Sequence, residues 1–291
     1  MTQYADLHVH TNMSDGSHTP QEVLACAKEN NVSYLSITDH NTLAAYTQAV
    51  WEKARQWGIR LIPGVELDVL YKGKRYHLLG YGIHTETPSL RKACAYNAQV
   101  QEEDNLALLR RMEKAGLGVR EKEYMAYKIP AGRGGWKLLN YLLDIGLTKT
   151  LLEGIKYYAE YGFHSSSIPF LSLEEGLSVI KQASGVPVLA HPGEQLPYNP
   201  YAADHSDFWL ALEELLKTGI QGVECIHPLH DFALEKALIA LCQEKGFLIS
   251  GGTDFHGHFF SKQKQTVGGQ MVSRDVVRQL VDRWEDAPDF S

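Results

Sequence analysis

Short apolar runs alternate with stretches of helical periodicity along much of this chain, and the alternation limits the folds open to it. Predicted strands and amphipathic helices follow one another in the order 4–9, 20–30, 32–38, 43–57 and 60–65. Pro20 suits the first turn of the first helix, and Gly58 suits the end of the second. Because strand–helix–strand units join parallel strands by right-handed crossovers, this order predicts an α/β fold with parallel strands.

A different pattern interrupts this alternation in the middle of the chain. Residues 67–82 predict a β-hairpin with its turn at 72–74, and long helical stretches such as 89–115 then follow without strands of comparable strength. The alternation resumes after residue 185. We therefore predict a distorted (β/α)7 barrel formed by residues 1–84 and 186–291, with an inserted helical cap subdomain at 85–185.

Composition and charge restrict the class of function. The 291 residues are 44% hydrophobic and 22% charged, which is typical of a globular domain, and their formal net charge is −7. Because nucleic-acid backbones attract clustered lysines and arginines, we expect no duplex nucleic acid among the partners. No charged start followed by an apolar run is present, which predicts no signal peptide, no membrane partner and a cytoplasmic location. The sequence predicts no particular oligomeric state.

Residue types that bind metals stand at the carboxyl ends of nearly all predicted barrel strands. They are His8, His10, Asp39, His40, Glu66, His191, Asp254 and His256. Since the active site of a parallel barrel lies at that end, these side chains are expected to converge. Residues i and i+2 of a strand share a face, so His8 and His10 can bind one ion. Mixed imidazole and carboxylate ligands suit Zn, Mn or Fe(II) in an open, catalytic site of several ions.

Each of these residues has a simpler explanation when it is taken alone. A single histidine at a strand end is more often a hydrogen-bonded core or turn residue, and Asp15-Gly16 is typical of a turn. The prediction of a metal site therefore depends on the recurrence of such residues where a barrel builds one site.

Seven segments resemble, in order, the motifs of the PHP (polymerase and histidinol phosphatase) family of metal-dependent hydrolases. They are DLHVHTNMSDGSHTP (6–20), ITDHNT (37–42), IPGVELD (62–68), HLLGYGI (77–83), LAHPG (189–193), GVECIHPLH (222–230) and GGTDFHG (251–257). The chain is most similar to small stand-alone phosphoesterases with a helical insertion. The resemblance implies metal-dependent hydrolysis of small phosphate esters, namely phosphomonoesters, nucleotide phosphates or small cyclic phosphodiesters.

The resemblance also implies three divalent metal ions, which would be Mn, Zn or Fe. The implied ligand sets are His8, His10, Glu66 and Asp254 for the first ion, Glu66, His77 and His191 for the second, and Asp15, His40 and His256 for the third. Two ions that share a water molecule lower its pKa strongly, and the hydroxide that forms would attack phosphorus. Asp254 is thus predicted to be both a ligand and a catalytic residue.

Positive charge for the substrate is predicted in the insertion. The glycine-rich segment 132–137 precedes a predicted helix and carries Arg133 and Lys137, so it suits anion binding, with a flexible hinge as the alternative. The segment resembles a GRxH motif of related phosphoesterases, although Gly135 stands where the histidine would be. Arg133 is therefore the predicted catalytic cation that binds the phosphate, with Lys137 beside it.

Two further histidines follow the predicted strand 222–226, at the same barrel mouth. His227 and His230 are predicted to bind substrate, with His230 as the acid that protonates the leaving group; a supporting role is the alternative. Three other functions stay open at this point, namely a histidinol-phosphate phosphatase, an amide or lactone hydrolase on the same metal barrel, and a non-enzymatic metal or ligand sensor. A replication-associated exonuclease is disfavoured by the acidic balance.

Overall fold

The computed structural model describes residues 3–259 and 266–284. The strands within this part of the chain are β1 (Tyr4–Val9), β2 (Val32–Ile37), β3 (Arg60–Leu61), β4 (Gly64–Tyr71), β5 (Lys74–Tyr81), β6 (Leu171–Ser172), β7 (Val186–Leu189), β8 (Gly222–Ile226), β9 (Leu248–Gly251) and β10 (Val272–Ser273). The helices are α1 (Pro20–Glu29), α2 (Gln48–Trp57), α3 (Pro88–Lys114), α4 (Glu121–Ala126), α5 (Lys137–Asp144), α6 (Ile155–Glu160), α7 (Leu173–Gln182), α8 (Pro192–Gln195), α9 (Ser206–Leu216), α10 (Phe232–Lys245) and α11 (Arg278–Val281).

The strands form two sheets that meet along two seams. One sheet has the order β10-β1-β2-β3 and the other the order β6-β4-β5-β7-β8-β9. A parallel bridge between His40 and Glu66 joins β2 to β4, and a parallel bridge between Val9 and Phe255 joins β1 to the segment after β9. Through these bridges the strands β1, β2, β4, β5, β7, β8 and β9, called the ring below, follow one another around the core. The predicted α/β fold with parallel strands is confirmed, and single bridges rather than continuous ladders connect the two sheets.

The predicted hairpin is the one antiparallel feature of the ring. Strand β5 runs antiparallel to both of its neighbours, β4 and β7, while the other described pairings within the ring are parallel. A two-residue turn at Lys72 and Gly73 connects β4 to β5, and both residues have positive φ, 48° and 74°. This geometry matches the right-handed twist of the two strands and fixes their register.

Local signals in the sequence account for the helices around the ring. Thr19 caps α1 and forms a capping box with Glu22. Thr47 caps α2, which ends at the left-handed Gly58 as predicted. The larger apolar core lies between the ring and its covering helices, around buried residues such as Leu67 and Leu78. Within the described residues, no helix is both long and apolar enough to cross a lipid bilayer.

The helices between residues 88 and 160 form a separate layer over the barrel. Residues of α3, α4, α5 and α6 share an apolar cluster that includes Leu109, Tyr124 and Leu138. Asn97 of α3 anchors this layer, because its amide donates hydrogen bonds to the Asp68 carbonyl and to Asn41, at 2.8 Å each. Strand β6 and helix α7 also lie within 85–185, but they pack on β4 and its neighbours. The division into a barrel and a cap subdomain stays a prediction.

Gly82, which follows β5, offers a stability test of the packing between the end of this strand and Trp284. Its φ is +67°, and a Cβ atom there would lie 2.0 Å from the Trp284 ring. Gly73 has φ +74°, yet a Cβ atom there would meet nothing within 4 Å. Gly73→Ala should cost about 1–2 kcal/mol from backbone strain alone, whereas Gly82→Ala should cost about 1–3 kcal/mol more from the steric clash. Urea unfolding of both variants measures the difference; equal losses would contradict the packing described here.

Candidate metal centre

The residues predicted to bind metal lie together at one end of the barrel. All nine fall in overlapping groups of three or four residues whose ligand atoms lie within 4.8 Å of one another. These nine are His8, His10, Asp15, His40, Glu66, His77, His191, Asp254 and His256. Strand ends position most of them, as expected for a parallel barrel. Glu66 is instead the third residue of β4, so the hairpin positions both Glu66 and His77.

The first predicted set is the most closely packed. The Nε2 atoms of His8 and His10 lie 3.1 Å apart, because residues i and i+2 of β1 point to the same face. Oε2 of Glu66 lies 3.3 and 3.2 Å from these two nitrogens, and Oδ1 of Asp254 lies 3.3 and 3.2 Å from them. Asp254 has a left-handed backbone, with φ 50°. Such strain is retained where surrounding structure fixes a functional side chain.

The second set shares Glu66 with the first. Oε1 of Glu66 lies 3.0 Å from Nδ1 of His77 and 3.1 Å from Nε2 of His191, and those two nitrogens lie 3.3 Å apart. The two carboxylate oxygens of Glu66 therefore face different sets of imidazoles. A bridging carboxylate of this kind can bind two ions at once and offset their mutual repulsion.

The ligand atoms of the third set lie farther apart than those of the first two sets. Nε2 of His256 lies 3.3 Å from Oδ2 of Asp15, and Nε2 of His40 lies 4.0 Å from the same oxygen. Nδ1 of His10 lies 3.6 Å from the other oxygen of Asp15, so His10 stands between the first and third sets.

The donor atoms of these sets fit divalent metal ions. Spacings of 3.0–3.3 Å in the first two sets are those of neighbouring ligand atoms around an ion with bonds of about 2.0–2.2 Å. Nδ1 of His40 and Oε2 of Glu66 are buried and lie 3.2 Å apart, yet neither atom forms a hydrogen bond of normal geometry among the described residues. Leaving such an atom unpaired costs about 1–3 kcal/mol, which a bound cation would offset.

The charge state of the cluster also favours cations. Although burial lowers the pKa of His10, the carboxylates of Asp254 and Glu66 raise it to about 10. Burial raises the pKa of Asp254, yet the nearby imidazoles of His8 and His256 hold it well below its usual range. The buried carboxylates therefore stay ionised and attract positive charge, whether as protons on the imidazoles or as metal ions.

Two buried carboxylates that are absent from the predicted site residues hold the histidines in place. Oε1 of Glu224 accepts a hydrogen bond from Nδ1 of His8 at 2.9 Å, and Oε2 accepts one from the backbone N–H of His191 at 2.8 Å. Asp68 lies 3.2 Å from Nε2 of His77. A proton on Nδ1 of His8 leaves its Nε2 free to bind an ion. Both carboxylates lie within apolar strands, and a charged residue in such a strand is the sequence feature that could have identified them.

The structure does not place Arg133 at the metal centre, and its role in phosphate binding stays a prediction. Its Nη1 atom donates a hydrogen bond to Asp144 at 2.5 Å, and Arg133 is absent from the lining of the cavity above the metal ligands. The N–H of Gly135 donates to the carbonyl of Asp15 at 2.5 Å, and a Cβ atom at Gly135 would lie 2.7 Å from the Phe259 ring. The segment therefore packs the cap against the loop that carries Asp15. Residue 135 must be glycine because a side chain there would clash with Phe259.

Lys137 forms its contacts within the cap. Its Nζ atom lies 3.3 Å from Glu102 and 4.2 Å from the centre of the Tyr124 ring. It lines a neighbouring cavity of about 580 Å³ that shares His40 and Trp136 with the cavity above the metal ligands. Its predicted contact with the substrate phosphate has no support from this geometry.

His230 is fixed by hydrogen bonds on both of its ring nitrogens, and its role as the catalytic acid stays a prediction. Nδ1 donates to the Cys225 carbonyl at 2.9 Å, and Nε2 accepts from the N–H of Gly193 at 3.0 Å. Burial lowers the pKa of His230 to about 4. His227 lies closer to the centre, with its Nε2 atom 3.3 Å from Oδ2 of Asp254. It can support that ligand directly.

The cavity above the ligands, called the metal-site cavity below, has a volume of about 470 Å³. Ligand side chains form its floor, and cap residues form its roof, including Trp136, Leu139, Ile155 and Tyr158. The Trp136 ring lies over the floor, with its centre 5.3 Å from that of His40. A volume of this size suits a small molecule, since ligand pockets usually measure about 300–1,000 Å³.

Comparisons with known proteins agree with this architecture. The family model described as the PHP domain matches residues 6–115. The phosphoribosyl 1,2-cyclic phosphate 1,2-diphosphodiesterase of Eggerthella lenta is 28% identical over 263 residues, which cover 87% of this chain and 94% of that protein. The 5′-3′ exoribonuclease Rnm of Salmonella typhimurium is 32% identical over 198 residues, covering 66% of this chain and 67% of the relative. A solved structure from Bifidobacterium adolescentis aligns with a TM-score of 0.76 at 21% identity, covering 97% of this chain and 96% of that one.

The barrel and its cluster of buried imidazoles and carboxylates define a hydrolase that depends on divalent metal ions. The chain belongs to the PHP domain family. Family membership confirms the predicted metal-dependent phosphoesterase.

Proposed function

We propose that this enzyme hydrolyses small phosphomonoesters or small cyclic phosphodiesters, and that the scissile phosphate binds above Glu66. The observation that carries the proposal is the position of that carboxylate, whose two oxygens each lie within 3.3 Å of imidazole nitrogens from separate ligand sets. We propose three ions of Mn, Zn or Fe, held by the nine residues described above. Such ions supply positive charge for the phosphate oxygens and lower the pKa of water.

The residues of the chain perform the remaining tasks in this proposal. Glu224 and Asp68 orient the imidazoles of His8 and His77, so that their other nitrogens face the centre. Helix α3 and the segment that carries Trp136 cover the cavity and restrict the entry of water and of bulky substrates. Trp136 can pack against a sugar or a base of the substrate.

The size of the cavity favours a small ester over a polymer. A volume of about 470 Å³ holds a nucleotide-sized molecule. The Eggerthella relative, whose name specifies a phosphoribosyl cyclic phosphate, aligns over 94% of its length. The Salmonella relative is named as an exoribonuclease, so an RNA end must be included among the compounds tested. A cytoplasmic location also stays part of this proposal.

Phosphate release with and without metal tests the proposed function. Protein stripped by a chelator and protein reloaded with Mn, Zn or Fe should be assayed on sugar phosphates, nucleotides and cyclic phosphodiesters. A 5′-phosphorylated oligoribonucleotide and a set of amides and lactones serve as comparison substrates. We expect release from the small esters, falling at least about a hundredfold on stripping and returning on reloading, because the ions stabilise several kcal/mol of developing charge. Reloaded protein that cleaves only amides, lactones or RNA would contradict the proposal.

A further inference from the structure

We infer that Arg75 binds a second phosphate of the substrate, so that the enzyme prefers esters with another phosphate away from the scissile bond. The inference rests on the proposed function and adds a specificity residue to it. Neither of the predicted cations fills this role, because Arg133 pairs with Asp144 and Lys137 pairs with Glu102.

The position of Arg75 in the hairpin directs it into the metal-site cavity. Arg75 precedes His77 by two residues on β5, so both side chains lie on the same face of the strand. In the register of the hairpin, Leu70 faces Arg75 and Asp68 faces His77. Arg75 and His77 both line the metal-site cavity, and the Arg75 side chain is 28% exposed. The guanidinium is therefore accessible to a bound substrate but is not a free surface charge.

Asp68 lies at ion-pair distance from one edge of the Arg75 guanidinium, and the other donors of Arg75 have no ion-pair partner among the described residues. Nε of Arg75 lies 3.4 Å from Oδ1 of Asp68, and among the described residues this is the only ion pair of Arg75. Asp68 is itself fixed, because it is buried and its other oxygen accepts a hydrogen bond from Asn41 at 2.5 Å. A guanidinium carries five N–H donors in a planar fork. With Nε directed to Asp68, the two terminal nitrogens can bind a phosphate in a bidentate manner.

The charges around the cavity give this cation a distinct role. Of the described residues that line the metal-site cavity, Arg75 is the sole lysine or arginine. Asp104 and Glu194 add negative charge to the same lining, outside the predicted ligands. A substrate group that carries negative charge and lies away from the ions would therefore be repelled unless it lay beside Arg75.

The distance from Arg75 to the ligands separates the two anion positions. One carboxylate lies between Arg75 and the second ligand set, because Oδ1 of Asp68 is 3.4 Å from Nε of Arg75 and 3.2 Å from Nε2 of His77. In this proposal the phosphate bound by Arg75 is a second one, separate from the scissile phosphate above Glu66. A linking group such as a sugar ring would span the gap between them.

The specificity ratio between paired substrates tests this inference. The metal-loaded full chain should be assayed on ribose 5-phosphate with ribose 1,5-bisphosphate, and on adenosine 5′-monophosphate with adenosine 3′,5′-bisphosphate. We expect wild type to favour the bisphosphate in kcat/KM, and Arg75→Gln to reduce that preference about tenfold through a higher KM, since a charge-assisted hydrogen bond is lost. Arg75→Lys, which keeps the charge but lacks the fork, should recover part of the preference.

A neighbouring lysine provides the matched control. Lys74→Gln removes the same charge from the adjacent, exposed position and should leave the ratio unchanged. Bound metal, measured by elemental analysis, should be equal in all three variants. Equal losses on both members of each pair, or a loss of metal in Arg75→Gln, would show that Arg75 only supports Asp68 and would overturn the inference. Wild type that hydrolyses monophosphates without preferring bisphosphates would also overturn it, while the proposed function would stand; hydrolysis of none of these esters would overturn both.

Discussion

Replacing Glu66 with glutamine should reduce kcat/KM for phosphate esters by at least about a thousandfold, equivalent to about 4 kcal/mol of transition-state stabilisation. Glutamine has nearly the shape of glutamate, but it has one oxygen and carries no charge. Oε1 of Glu66 lies 3.0 Å from Nδ1 of His77, and Oε2 lies 3.2 Å from Nε2 of His10. Whichever way the amide turned, an NH2 group would therefore face one of the two ligand sets.

Steady-state kinetics and elemental analysis together measure this effect. We expect less bound metal in Glu66→Gln than in wild type, with the far-UV circular dichroism spectrum retained. Glu213→Gln is a suitable control, because that carboxylate is exposed on α9 and pairs with Lys245 at 3.1 Å. A Glu66→Gln enzyme with full metal content and wild-type turnover would show that the two oxygens of Glu66 do not bridge ligand sets.

Replacing Glu224 with leucine should destabilise the fold as well as the metal centre. The side chain is fully buried on β8, and it accepts hydrogen bonds from Nδ1 of His8 and from the N–H of His191. Leucine would leave both donors buried without an acceptor. Breaking a buried charged pair on one side costs about 3–5 kcal/mol, and removing a group that orients a metal ligand costs about 10- to 100-fold in metal affinity.

Urea unfolding of protein stripped of metal by a chelator measures the loss of folding free energy separately from the loss of metal affinity. Competition with a chelator of known affinity then reports how tightly each variant holds its metal. Glu224→Gln should lose less on both measures, because its amide oxygen still accepts one of the two hydrogen bonds. If Glu224→Leu unfolded at the wild-type urea concentration and held metal equally well, Glu224 would have no orienting role.

Most of the ring and the positions of the ligands follow from local patterns in the sequence. The predicted helix at 89–115 is α3 at Pro88–Lys114. The predicted hairpin at 67–82 corresponds to β4 and β5, with the turn where it was expected, although β4 begins earlier, at Gly64. These elements have strong periodicity and clear end signals, which depend only on neighbouring residues. Most of the nine predicted ligands converge because the carboxyl ends of parallel strands share one edge of a barrel, while the hairpin brings Glu66 and His77 to the same place.

The positions of the residues that were predicted to contact the substrate depend on contacts that no local pattern encodes. Arg133 and its partner Asp144 are eleven residues apart, and only the packing of α5 brings them together. His230 is held by a carbonyl and by an N–H of the α8 segment, so its loop position alone suggested a freedom that it lacks. Arg75 lies in a hairpin, where an arginine usually faces solvent, yet it lines the metal-site cavity.

The length of the turn at Lys72 and Gly73 fixes the register of the hairpin and therefore the positions of the side chains that it contributes to the metal centre. Side chains alternate along a strand, so a shift of one residue between β4 and β5 would move Arg75 and His77 to the opposite face of the hairpin. Glu66 would then face the wrong strand partners. Insertions and deletions should therefore be tolerated among relatives in the exposed loops of the cap, and excluded from this turn even though its own two side chains take no part in the chemistry.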